Sequence, residues 1–447
     1  CRTGQPIEMA DLAIVSLATS KSIIILSPDG DDPDSHVIKT LLAITNHPQR
    51  RAEPYHIVAE IRNPDNLEVA QMVGRTEVEL VLVGDLIARV TAQTCRQSGL
   101  SVVYTELLDF GGDEIYFKEE PTLVGKTFAE VLLAYDDSAV IGLHPAKRGG
   151  TPQLNPPMDT RLNAGDRLIV IAEDDDTIKL SGLSDYQIKA AAIQTQPIVP
   201  AAPERTLILG WNWRAPAIIR ELDNYVAPGS TLVVVADEAF GPREADRAQA
   251  DLKHQVVTYQ AGSTTDRRLL ESLNIEQYQH VILLCYAGLD PQVADARTLI
   301  TLLHLREIGE RSGHAFSIVS EMLDIRNRNL AEVTRADDFI VSDKLVSLML
   351  AQISENKLLG PVFTDIFDPD GSEIYIKPAA NYVKLGEPIN FYTVIDAARR
   401  RGEVAFGYRR MADASDAAKS YGIAVNPDKS EFVTFTERDR IIVLAED

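Results

Sequence analysis

Only three cysteines occur in 447 residues, and Cys1, Cys95 and Cys285 lie too far apart to form a CxxC pair or a Cys/His cluster. That excludes a disulfide framework and a zinc site as the basis of the fold, and a reduced cytosolic setting is expected. No apolar run approaches the roughly 18–20 residues needed to cross a bilayer, and no basic-then-apolar leader opens the chain, so a soluble segment is expected. Basic residues are outnumbered 44 to 66, for a formal charge of −22. Such a surface repels phosphate backbones, which removes nucleic acid as a partner. It attracts cations, with plain solubility as the competing reading. Catalytic signatures are missing too: there is no HExxH, no GxSxG and no familiar Cys/His spacing. The eight histidines are scattered, and His56, His144 and His280 sit beside apolar strands, where packing or surface roles suit them. An enzyme is not expected.

Aromatics are scarce at 6%, whereas apolar residues make up 45% of the chain and alternate between strand-like and helix-like stretches. This is the pattern of an α/β protein of several domains. Its main feature is an internal repeat displaced by about 260 residues. Ile23–Leu26 matches Val281–Leu284, each an apolar strand run followed by Asp-Pro, at Asp32-Pro33 and Asp290-Pro291. His56–Glu60 matches Ser317–Glu321, and Val83-Gly84-Asp85 matches Val341-Ser342-Asp343. Glu114–Lys118 matches Glu373–Lys377, and Gly165–Glu173 matches Arg438–Glu446. Matches in one order over this length are not a product of shared composition.

Each repeat reads as a doubly wound Rossmann-like lobe followed by a smaller α+β lobe. The expected divisions are 1–108 and 109–193 for the first repeat, a proline-bearing linker at 194–203, and 204–366 and 367–447 for the second. Thr206–Gly210, Thr231–Asp237 and Val256–Tyr259 are strands at the head of the second repeat with no counterpart in the first. Cys1-Arg2-Thr3-Gly4 aligns with Tyr259-Gln260-Ala261-Gly262, so the first lobe is expected to lack its opening strands and the chain to be part of a longer polypeptide.

These segments resemble regulator-of-potassium-conductance (RCK) units, and their wording is similar to the CASTOR/POLLUX family of ion channels. The residues that carry the resemblance are Cys1–Gly4 with Ala10-Asp11-Leu12, Ala172–Thr177, Gly210-Trp211, Asp324–Leu330 and Ile374–Ala379. The resemblance implies a cytosolic gating ring of a cation channel, at the cytosolic face of a membrane, below a pore encoded upstream in the same polypeptide. It also implies a homotetramer whose ring holds eight RCK units. A soluble nucleotide-binding regulatory subunit of a potassium uptake system is the alternative.

Two sites compete as the ligand sensor. A dinucleotide-binding turn would read GxGxxG after the first strand of the second repeat, but the chain has Gly210-Trp211-Asn212-Trp213-Arg214-Ala215. Bulky indoles stand where the backbone should approach a pyrophosphate, so a nucleotide is disfavoured, with Asp237 only roughly where a ribose-binding acid would follow. The other candidate is Asp29-Gly30-Asp31-Asp32-Pro33-Asp34, four carboxylates on a strand-to-helix loop at the edge where doubly wound sheets bind ligands. Some calcium-gated RCK units place a ligating acid where Glu60 stands, and the resemblance extends to Glu60, although Arg62 stands where a second acid would help. Calcium held by Asp29, Asp31, Asp32, Asp34 and Glu60 is one reading. A helix cap with acids favoured by the helix dipole is the other. The Asp368–Glu373 loop lacks a distal bidentate Glu and reads as a hairpin turn, and Glu173–Asp176 reads as a solvated charge run.

Overall fold

The computed structural model describes residues 2–446 apart from 29, 31, 148, 195–201, 239–251, 314–316, 325, 328–329 and 331–337. Cys1, most of the expected linker, and Ile325, Arg328 and Asn329 of the resemblance therefore lie outside the described residues. The chain forms two compact units: residues 1–88 with 343–360, and residues 89–342 with 361–447. Among the described residues no helix is long and apolar enough to cross a membrane.

The first unit is built on a three-stranded parallel sheet of Ile23–Ile25, Ile57–Ile61 and Val78–Leu82, with Ile57–Ile61 in the middle. Every residue of that middle strand is buried, as expected of a parallel strand covered on both faces. The helix Pro33–Thr45 starts on a proline, whose fixed φ suits the first helical turn, and presents Val37, Leu41 and Ile44 to Ile57, Ala59 and Ile61. The unit also takes in residues 343–360, and thus nearly all of the helix Ser342–Glu355, which follows the last parallel strand of the second repeat.

The second unit holds a six-stranded parallel sheet in the order Gln255–Ala261, Ser230–Ala236, Arg205–Leu209, His280–Leu283, Ser317–Met322, Asp338–Val341. In chain order this is 3-2-1-4-5-6, the doubly wound order in which the two halves diverge between strands 1 and 4. Leu207, Leu209, Val281, Leu283 and Ile318 lie in one core with Leu302, Leu305 and Ile308 of the helix Pro291–Ser312.

This unit also holds a two-stranded antiparallel pair, Pro388–Asn390 with Phe432–Thr434, and two four-stranded antiparallel sheets that share one plan. One runs Glu114–Glu119, Arg167–Ala172, Ala139–His144, Gln153–Leu154; the other runs Glu373–Pro378, Arg440–Ala445, Val404–Arg409, Ile423–Val425. Glu114 opposes Ala172 as Glu373 opposes Ala445. The register also shifts at matching places, between Val140 and Gly142 and between Ala405 and Gly407. A Cβ at Gly142 would lie 2.3 Å from the Gln153 carbonyl oxygen, and one at Gly407 would lie 2.6 Å from that of Ala424. Close backbone approach demands glycine at both bulges.

Candidate functional site

The strand ends of the six-stranded sheet converge on one carboxylate. Gly210 ends the strand Arg205–Leu209 with φ +99°, and a Cβ there would lie 2.1 Å from the Leu284 carbonyl oxygen, so only glycine fits the turn. That turn delivers Asn212 and Arg214, both buried, beneath the carboxylate of Glu321. Asn212 Nδ2 donates to Glu321 Oε2 at 2.8 Å and to the Cys285 carbonyl at 3.0 Å. The Arg214 guanidinium pairs with Glu321 Oε1, which also accepts from Ser342 Oγ at 3.0 Å. The Cys285 amide donates to Glu321 Oε2 at 3.2 Å.

Four donors from three separate segments thus surround one buried carboxylate. In a dinucleotide fold the donors after the first strand face a pyrophosphate; here an internal carboxylate takes the side-chain donors. Trp211 is half-buried, and Trp213 is 47% exposed with the Arg214 guanidinium 5.1 Å from its ring centroid. Asp237 is engaged by its neighbours. Its amide donates to the Tyr286 hydroxyl at 3.1 Å, and its carboxylate lies 3.6 Å from Arg297. The adjoining cavity, lined by Leu209, Leu284, Tyr286, Arg297 and Thr301 among others, has about 10 Å³, room for about one water. Burial and the neighbouring Glu321 push the Cys285 thiol well above its ordinary pKa, so it is no nucleophile.

Among the described residues the first unit presents the counterpart with fewer partners. Glu60 Oε2 accepts the Ser27 amide at 3.0 Å, and Oε1 lies 3.5 Å from Arg62 Nε. Asp32 occupies the N-cap position of the helix Pro33–Thr45, is exposed, and accepts from the Ser35 hydroxyl, which holds its carboxyl below the usual range. Asp29 and Asp31 lie outside the described residues. Among the described residues no group of three or more His, Cys, Asp and Glu side chains is placed to hold a metal ion.

Asp34 has a different role from its loop neighbours. It is buried, and its carboxylate accepts from the amides of Arg62 and Asn63 at 2.9 Å each and from Asn66 Nδ2 at 2.9 Å. Asp295 does the same in the second unit, accepting from the amides of Leu323 at 2.9 Å and Asp324 at 3.0 Å, and from Asn327 Nδ2 at 2.8 Å. Each aspartate ties the start of a helix to the loop leaving the neighbouring strand. Asp34 thereby forms a structural cap, whereas Asp32 accepts from Ser35. Sequence reading missed Asn212, Arg214 and Ser342 as partners of Glu321. The available signal was the Gly210 turn itself, whose polar residues replace a phosphate-binding pattern.

Residues 84–188 match the family model described as Castor and Pollux, part of voltage-gated ion channel. The chain is 32% identical to the probable ion channel CASTOR of Oryza sativa subsp. japonica, covering 100% of this chain and 53% of that protein. It is 31% identical to the ion channel CASTOR of Lotus japonicus over 98% of this chain and 56% of the relative, and 30% identical to the probable ion channel POLLUX of Arabidopsis thaliana over 100% and 57%. The chain spans about half the length of the curated relatives it matches, and ion channels are a non-enzymatic class. In fold, the structure of the human SLO3 gating ring aligns with a TM-score of 0.72 at 14% identity, covering 99% of this chain and 90% of that one.

Proposed function

The chain belongs to the CASTOR/POLLUX family of ion channels, and from that premise we propose that it is the cytosolic gating-ring portion of a cation channel, built of two RCK units. The observation that carries this reading is a match to ion channels along the entire chain, joined to a gating-ring fold. In this reading the first RCK unit pairs the three-stranded sheet with the Glu114–Glu119 sheet, and the second pairs the six-stranded sheet with the Glu373–Pro378 sheet.

The first lobe then takes its opening strands from an upstream segment that also carries the pore. Supporting this, His280–Leu283 pairs with Arg205–Leu209 on one side, while the equivalent Ile23–Ile25 is an edge strand, with Ile24 43% exposed and the adjoining Leu26 64% exposed. Four chains would close a ring of eight units, since two similar units per chain offer quasi-equivalent surfaces. The soluble regulatory-subunit alternative is disfavoured because Glu321 takes the donors a nucleotide phosphate would need.

Calcium at the Asp29–Asp34 loop with Glu60 is the proposed ligand reading. Its support is four carboxylates close together in the sequence, of which Asp34 is already bound to Arg62, Asn63 and Asn66, and Glu60, which among the described residues has fewer partners than Glu321. Binding can bias the ring only if the ion prefers one of its conformations. Calorimetric titration of calcium, with magnesium as control, into wild type, Asp31→Asn/Asp32→Asn and Glu60→Gln tests it. Weakened calcium binding in both variants is expected; unchanged affinity in both returns the loop to helix capping. Light scattering of the chain joined to its native upstream segment tests assembly, and a strict monomer would refute the ring.

A further inference from the structure

The two antiparallel sheets meet through equivalent residues, and one pair departs from the equivalence. Leu154 opposes Gly142 as Val425 opposes Gly407, so Asn155 and Asn426 correspond. Both have positive φ, 40° and 46°. Asn155 Nδ2 donates to the Gly402 carbonyl at 3.0 Å, and Asn426 Nδ2 donates to the Asp137 carbonyl at 2.8 Å. The same side-chain-to-backbone bond is thus made in both directions across the junction. Three residues further on, the first repeat has Met158 and the second has Lys429.

Lys429 is 1% exposed. Its Nζ donates to the carbonyls of Tyr135, at 2.7 Å, and Ser138, in the loop that leads into the strand Ala139–His144. The backbone is clasped as well: the Lys429 amide donates to the Asp136 carbonyl, and the Tyr392 amide donates to the Lys429 carbonyl, each at 3.2 Å. The Tyr392 hydroxyl also donates to the Tyr135 carbonyl, at 3.0 Å. Two carbonyls satisfy the two N–H bonds of a neutral amine. An ammonium has a third N–H, and among the described residues Nζ makes no third hydrogen bond.

We propose that Lys429 is a proton-responsive latch between the two antiparallel lobes, closed by its neutral amine and loosened when acidification places an ammonium in the same pocket. The charged groups around it are Asp136, Asp137 and Asp428. Asp136 accepts from the Ser430 hydroxyl at 2.9 Å, Asp137 from the Ser138 hydroxyl at 3.3 Å, and Asp428 from the Ser430 amide at 2.8 Å. They favour the charged form. Burial opposes them and dominates, lowering the lysine pKa to about 7 from the ordinary 10.5. Between those two values the unfolded chain is protonated at this site and the folded chain is not, so stability rises with pH across that interval. Below about 7 both states carry the proton and the penalty is constant; above 10.5 neither does.

In a gating ring such a junction would let protons bias the conformation; that extension rests on the function proposed above, whereas the latch does not. Melting curves from pH 6 to 9.5 for wild type, Lys429→Met, which installs the residue of the first repeat, and Lys429→Arg test the latch. A wild-type melting temperature that rises above pH 7, a Lys429→Met profile without that rise, and a Lys429→Arg protein that stays low throughout are expected. Superimposable wild-type and Lys429→Met profiles, or a constant offset between them, would overturn it. Should Lys429→Met fail to fold, hydrogen exchange of wild type, corrected for its intrinsic pH dependence, decides. Protection at 135–138 and 426–430 must rise from pH 6.5 to 8.5 relative to the sheet cores, and an unchanged ratio refutes the latch.

Discussion

Glu321 and Glu60 sit at equivalent places in the two repeats, yet one is enclosed by four donors and the other is met by Ser27 and Arg62. The difference comes from the elements around them. In the second unit the strand Arg205–Leu209 lies beside His280–Leu283 and brings the Asn212–Arg214 turn over the strand ends. In the first unit the strand Ile23–Ile25, equivalent to His280–Leu283, is at the sheet edge, and the basic partner of Glu60 is Arg62, two residues further along the chain. At this edge one carboxylate takes four donors, and among the described residues the other takes the Ser27 amide and pairs with Arg62.

The sharpest way to break this comparison is to remove each acid. Glu321→Ala should cost about 3–5 kcal/mol, because Arg214 is left buried without its partner. Glu60→Ala should cost only about 1–2 kcal/mol, the value of one amide–carboxylate bond and a partly exposed pair. Urea denaturation of both variants measures the gap, and equal losses would mean that the two edges are energetically alike.

Asp34 and Asp295 make the opposite case, since the repeats agree there. Asp34→Ala and Asp295→Ala should each lose about 2–3 kcal/mol in the same experiment, since each leaves two backbone amides and an asparagine side chain without their acceptor. A neutral Asp34→Ala would show that the first loop does not depend on its cap. The two bulge glycines extend the test to the antiparallel sheets: Gly142→Ala and Gly407→Ala should each cost about 1–3 kcal/mol as the added methyl forces the facing backbone away. A tolerated substitution at only one of them, read from thermal melting, would separate the sheets energetically.

The smallest effect belongs to the helix starts. Asp32 accepts from the Ser35 hydroxyl, whereas Asp290 accepts from the Gln292 amide at 2.9 Å. Asp32→Ala should therefore move the melting temperature less than Asp290→Ala, in which a backbone donor at the helix start loses its partner. The reverse ranking would mean that Asp32 supports the first unit through contacts beyond Ser35.

Much of this architecture was legible in the chain. The repeated Glu-Ile-Tyr-x-Lys and Arg-x-Ile-Val segments reappear as strand pairs in one register, because apolar alternation and turn residues specify register locally. The departure from the glycine fingerprint at Gly210–Ala215 was visible as well. The carboxylate that those residues meet was not readable: Glu321 lies more than a hundred residues from Asn212 and Arg214, and nothing in their spacing links them. Nor could Asp34 be separated from Asp32 by type, since capping a loop and lying exposed at a helix start use the same side chain.

The sequence by itself determined the α/β class, the internal repeat, its order and its family, since these depend on local periodicity and on residue matches along one chain. Tertiary structure alone decided which carboxylates are occupied, which unit takes in residues 343–360, and that Lys429 is enclosed by backbone carbonyls from the other repeat. Those outcomes depend on donors brought together from distant segments and on removal of water around them. Burial changes the value of a charge far more than its position in the chain does.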